Sequence, residues 1–92
     1  MTQDINQVLE ERGKNYGAFI GHAIVTQDLK AVIENHLRQR NKTLGYDQKE
    51  ALDMICHKIG RIVNGNPDLA DYWVDCAGYA TLVARRLQNN NA

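Results

Sequence analysis

Apolar residues return every three or four positions along four separate stretches of this chain, the spacing of one face of an α-helix. The first stretch, from about Gln3 to Arg12, carries Ile5, Val8 and Leu9. The second, from about Ala18 to Arg40, carries Ile20, Ile24, Leu29, Val32, Ile33 and Leu37. The third carries Leu52, Ile55, Ile59, Ile62 and Val63, and Asp47 ahead of it, with Glu50 three residues on, predicts an N-cap with a variant capping box. The fourth opens with Pro67 and Asp68, suited to a first helical turn, and runs to about Leu87 with Leu69, Trp73, Ala77, Ala80 and Ala84.

Three breaks separate these stretches. The block Arg12–Gly17 holds two glycines, the segment 41–46 contains Gly45, and Asn64-Gly65-Asn66-Pro67 is the strongest turn signal in the chain. Strand-like alternation is missing. The expected architecture is a single all-α domain over residues 1–92, a four-helix bundle-like arrangement. It has a short N-terminal helix, a long second helix, and a third and fourth that pack antiparallel because the loop between them is short. The polar tail 88–92 is expected to be disordered.

Size changes this picture in one respect. A chain of 92 residues buries a thin core, so a homo-oligomer is expected. Charge narrows the partners: eleven basic and eleven acidic side chains give a net charge of zero, which argues against a dedicated nucleic-acid or membrane-surface protein. No apolar run approaches the roughly 18 residues of a membrane span, and no signal-peptide pattern opens the chain. The two cysteines, Cys56 and Cys76, lack the CxxC spacing of a zinc site and read as small core hydrophobes. The expected location is the cytoplasm.

Candidate chemistry lies mainly on the third and fourth helices. Glu50, Asp53 and His57 share a stripe, with Lys58 and Arg61 on the adjoining one; Asp71 and Asp75 lie four apart on the next helix. Antiparallel packing would set Asp71 near Arg61, and Asp75 nearer His57 and Asp53. Carboxylates converging from two helices suit a hard cation such as Mg2+, and a lysine and an arginine suit phosphate. Each acid pair taken alone also fits an ordinary solvated face.

Other residues read two ways. His22 and His57 could ligate or exchange protons, or be structural. Arg12, Lys14 and Tyr16 could close over a nucleotide, or form a basic turn. Trp73 reads as core or interface, Tyr72 and Tyr79 as interface or site. Gly60 and Gly78, inside helices, read as points of close helix contact.

These residues together carry a resemblance. The run Glu50-Ala51-Leu52-Asp53-Met54-Ile55, then Lys58-Ile59-Gly60-Arg61-Ile62, Asn64-Gly65-Asn66-Pro67 and Asp71 to Ala80 closely resembles small bacteriophage proteins of unassigned function. The upstream block Glu11 to Gly17 looks like the N-terminal signature of the same group. That group is distantly similar to the MazG-like all-α nucleoside triphosphate pyrophosphatases. The resemblance implies an oligomeric helical bundle in which acids on neighbouring helices bind magnesium and a triphosphate is split into monophosphate and pyrophosphate. In this chain Glu50-x-x-Asp53 would stand for the first acidic pair and Asp71-x-x-x-Asp75 for the second. Aspartate replaces glutamate in each pair and the second spacing is four, departures that bear on catalysis more than on fold.

Two functions are therefore weighed first, beside a third reading in which the chain is an accessory protein acting only through protein contacts. One is magnesium-dependent nucleotide hydrolysis: Glu50, Asp53 and Asp75 are catalytic, Asp71 joins them on the metal, and Arg12, Lys14, Tyr16, His22, His57, Lys58 and Arg61 hold the nucleotide. The other is non-enzymatic sequestration of a nucleotide, or of a cyclic nucleotide messenger of host antiviral defence.

Overall fold

The computed structural model describes residues 4–90, the side chain of Asn15 excepted, and every regular element among them is helical. Four helices follow one another: α1 (Ile5–Tyr16), α2 (Phe19–Gln39), α3 (Tyr46–Asn64) and α4 (Ala70–Asn90). No helix among the described residues is long and apolar enough to cross a membrane.

α3 is the middle of the molecule. α2 packs on one side of it and α4 on another, α1 lies against α2 and α3, and α4 reaches α1 through the Tyr16–Tyr72 ring contact. The antiparallel register of α3 and α4 is pinned at two levels, where Arg86 chelates Asp47 at 2.6 and 2.8 Å and Lys58 meets Asp75 at 2.9 Å. The shape is long, with principal extents of 48 × 30 × 26 Å. Among the described residues the buried hydrophobic side chains are Ala51, Cys56 and Tyr72, and Thr26 and Lys58 are buried as well. Both cysteines are free, Cys56 buried and Cys76 half-buried.

Helix boundaries differ from the expected ones for local reasons. α1 continues four residues past Arg12, through Gly13, and stops only at Gly17, whose φ of 78° few other residues adopt and whose N–H donates to the Gly13 carbonyl. A mid-helix glycine costs about 1 kcal/mol, which tertiary contacts at Tyr16 outweigh. α3 starts at Tyr46, not after Asp47: Gly45 is the N-cap, its N–H donates to Gln48 Oε1 at 2.8 Å, and the Asp47 carboxylate serves Arg86 instead. Pro67 and Asp68 form a turn ahead of α4 rather than its first residues. The tail is helical through Asn90, and its last two positions lie outside the described residues.

Candidate anion site at the junction of three helices

α1 runs into α2 through the two-residue joint Gly17-Ala18, and the end of α3 closes over that joint. Asn64, the last residue of α3, donates from Nδ2 to the carbonyls of Tyr16 at 2.9 Å and Ala18 at 2.8 Å. Those two carbonyls belong to the end of one helix and the start of the next, so a single amide ties three elements. The approach is close: a Cβ on Gly17 would overlap the Asn64 backbone, and one on Gly21 would overlap the Asn64 side chain.

Around the joint lies a cavity of about 490 Å³, walled by Leu9, Arg12, Tyr16, Phe19, His22 and Arg61 with the backbone of Gly13, Gly17 and Ala18. No acidic residue lines it. Arg12 and Arg61 make no ion pair among the described residues. The Arg61 guanidinium lies over the Tyr16 ring at 4.7 Å, and Tyr16 in turn packs on Tyr72 at 5.8 Å between centroids. That stack orients Arg61 without neutralising it. Ala18, the N-cap of α2, offers no side-chain acceptor to the first-turn N–H groups, so the positive end of the helix dipole begins at the cavity wall.

Behind His22 a polar track continues into the α2–α3 interface. His22, Thr26 and Lys30 lie four apart on α2, and His57 faces them from α3. The imidazoles of His22 and His57 stack at 5.7 Å with a 21° interplanar angle. Lys30 Nζ lies 3.2 Å from His57 Nε2. An ammonium can only donate, so His57 Nε2 accepts and its proton sits on Nδ1, which lies 3.5 Å from His22 Nε2. His22 is then protonated on Nδ1, an atom that is buried without a hydrogen-bond partner among the described residues. Gly60 makes room for this: a Cβ there would come within 2.6 Å of Thr26 Oγ1 and 2.9 Å of His22 Nδ1.

Both histidines are held below their ordinary pKa. For His22 the main cause is burial, followed by Arg61 and His57; for His57 it is burial, followed by Lys30 and Arg61. Burial raises the Tyr72 phenol, whose hydroxyl also lacks a partner among the described residues. The junction therefore carries fixed positive charge on two arginines, and two imidazoles kept neutral by that charge and by desolvation.

Of the residues expected to hold a nucleotide, Arg12, Tyr16, His22 and Arg61 meet in this cavity, and His57 stands directly behind it. Lys14 is exposed at the end of α1 and does not line the cavity. Lys58 faces α4 and is paired with Asp75. The four expected metal ligands are dispersed. Asp53 lies 3.7 Å from Lys49, which also reaches Glu34 at 3.5 Å, so this stripe of α3 faces α2 and not α4 as expected from the spacing. His57 turns the same way. Glu50 and Asp71 are exposed. Among the described residues no three of His, Cys, Asp and Glu gather as a metal-holding group.

Sequence reasoning passed over Thr26, Lys30, Phe19 and Asn64. The spacing His22–Thr26–Lys30, polar residues at every fourth position along one stripe of α2, was the available signal for two of them. Asn64 reads only as a turn residue, because its partners are more than forty positions away. No family profile, curated protein or solved structure matches this chain.

Proposed function

We propose that the protein binds a nucleotide at the α1–α2–α3 junction and holds it without needing a metal ion. One observation carries this reading: Arg12, Arg61 and the uncapped start of α2 converge on a cavity with no acidic lining. Phosphate oxygens accept from guanidinium and helix-terminal N–H groups, and charge-assisted bonds of this kind are about twice as strong as neutral ones. The volume, about 490 Å³, lies within the range of small-molecule pockets. Phe19, 72% exposed at the rim, is free to take a base against its ring. The sequestering reading is favoured over the hydrolytic one because the cations meet at one cavity while the carboxylates do not. The class extends to cyclic nucleotides, whose phosphates present the same acceptors.

A thermal-shift screen of nucleoside triphosphates, monophosphates and cyclic dinucleotides, each with magnesium and with EDTA, tests this. A ligand bound at about 100 times its dissociation constant stabilises by about 2.7 kcal/mol and raises the melting temperature accordingly. The expected result is a shift that survives EDTA and shrinks in Arg12→Gln, with the nucleotide recovered intact. A shift that requires magnesium, with pyrophosphate released, would restore the hydrolytic reading; no shift with any nucleotide would remove both.

A further inference from the structure

α4 is a helix of 21 residues packed along α3, and one of the faces it leaves uncovered carries exposed apolar side chains. Along one side run Asp71, Val74, Gly78, Leu82 and Arg85, each a helical turn from the next. Val74 and Leu82 are 65% and 64% exposed. Between them the side chains shrink, leaving a shallow hollow over Gly78 and Thr81. The Thr81 hydroxyl donates back to the Ala77 carbonyl at 2.7 Å, so its methyl is left to face outward. Gly78 has no reason to be glycine within the chain: a Cβ added there meets nothing within 4 Å.

The order of these residues is symmetric. Val74 and Leu82 lie four positions either side of Gly78, and Asp71 and Arg85 lie seven either side. We infer that this face of α4 is the contact surface for a second copy of the chain, the two α4 helices crossing antiparallel at Gly78 about a two-fold axis. In that register Val74 meets the partner's Leu82, and Asp71 meets the partner's Arg85, twice over by symmetry. A parallel pairing would set acid on acid and base on base, so charge selects the antiparallel one. Asp71 and Arg85 are exposed and make no ion pair among the described residues. The absent side chain of Gly78 lets the backbones approach at the crossing.

The surface area calls for such a partner. A compact monomer of 10.4 kDa exposes about 5,400 Å² by the scaling for folded proteins, whereas this chain exposes 7001 Å². Its radius of gyration is 15.9 Å against about 12 Å for a compact domain of this length. The surplus, roughly 1,600 Å² per chain, is of the size that obligate dimers cover. The nucleotide cavity shares no lining residue with this face, so this surface stands independently of that reading.

Sedimentation equilibrium on the full chain decides it. The unaltered protein sediments as a dimer. Arg85→Glu and Asp71→Arg, each of which makes both pairs repulsive, weaken the dimer on the order of tenfold or more, and the double variant returns to within a few-fold of the unaltered protein. Circular dichroism accompanies each variant; if one single reversal fails to fold, the other and the double variant still give the comparison. A monomer at every concentration, a dimer indifferent to both single reversals, or a double variant as weak as the singles would overturn the proposal.

Discussion

α2 and α4 both lie against α3, but they meet it in opposite ways. The α2 contact is tight and polar: glycines at 17, 21 and 60 let Asn64, Thr26 and His22 approach, and the groups that meet there are a half-buried imidazole pair, a buried hydroxyl and an amide. The α4 contact is held by ion pairs at two levels and by Tyr72, and it leaves a face of small and apolar residues open. The lesson concerns where glycine is placed. At 17 and 60 it permits contact inside the chain and shapes a cavity; at 78 it permits nothing inside the chain and marks a surface.

Substitutions break the two contacts to different degrees. The largest effect is expected from Gly17→Val, where a positive φ and overlap with the Asn64 backbone together cost about 3 kcal/mol or more, measured by urea unfolding. A cost under about 1 kcal/mol would mean that the junction is loose. Asn64→Ala should cost about 2 kcal/mol, since it takes the side-chain donor from the Tyr16 carbonyl and leaves the Ala18 carbonyl only its bond from the His22 N–H. On the α4 side, Asp75→Asn leaves the buried Lys58 ammonium without its counter-charge. Because Asp75 is itself half-exposed, the expected loss is smaller, about 1 to 2 kcal/mol. Gly78→Ala separates the two uses of glycine: helix propensity makes the single chain more stable by up to about 1 kcal/mol, while the added methyl weakens self-association.

Acidity gives the smallest and most diagnostic effect. His22 and His57 have folded pKa values below the ordinary 6.5, so the folded state takes up fewer protons than the unfolded one. Their contribution to stability is therefore fully present above pH 6.5 and is lost as pH falls from there through the lowered values. A bound phosphate reverses the local field and favours the imidazolium. Stability without ligand should fall, and nucleotide affinity should rise, over the same acid window. In His22→Gln/His57→Gln both slopes should flatten; unchanged slopes would place the linked protons elsewhere.

The helical architecture was legible from periodicity alone, because 3.6-residue spacing is a property of each segment by itself. Which stripe of α3 faces which neighbour was not. Glu50, Asp53 and His57 do share a stripe, but Asp53 and His57 face α2, since Gly60 makes that side the close one. Arg12, Tyr16, His22 and Arg61 were expected among the nucleotide-holding residues together with Lys14 and Lys58, and long-range contacts such as the Asn64 amide bonds, which periodicity does not show, decide which of them share one cavity. Trp73 was expected in a core or interface; in the chain it is 56% exposed, with its indole N–H on the Pro67 carbonyl at 2.9 Å. A thin domain places its large residues before it can cover them.

Isothermal titration of ATP in EDTA, into the unaltered protein and into Arg61→Gln at pH 6 and pH 8, tests the junction site most directly. Metal-free binding that is stronger at the acid pH, and weakened by about tenfold or more in Arg61→Gln, is the expected outcome. Saturable heat that appears only after magnesium is added, or affinity equal in the two proteins, would contradict it.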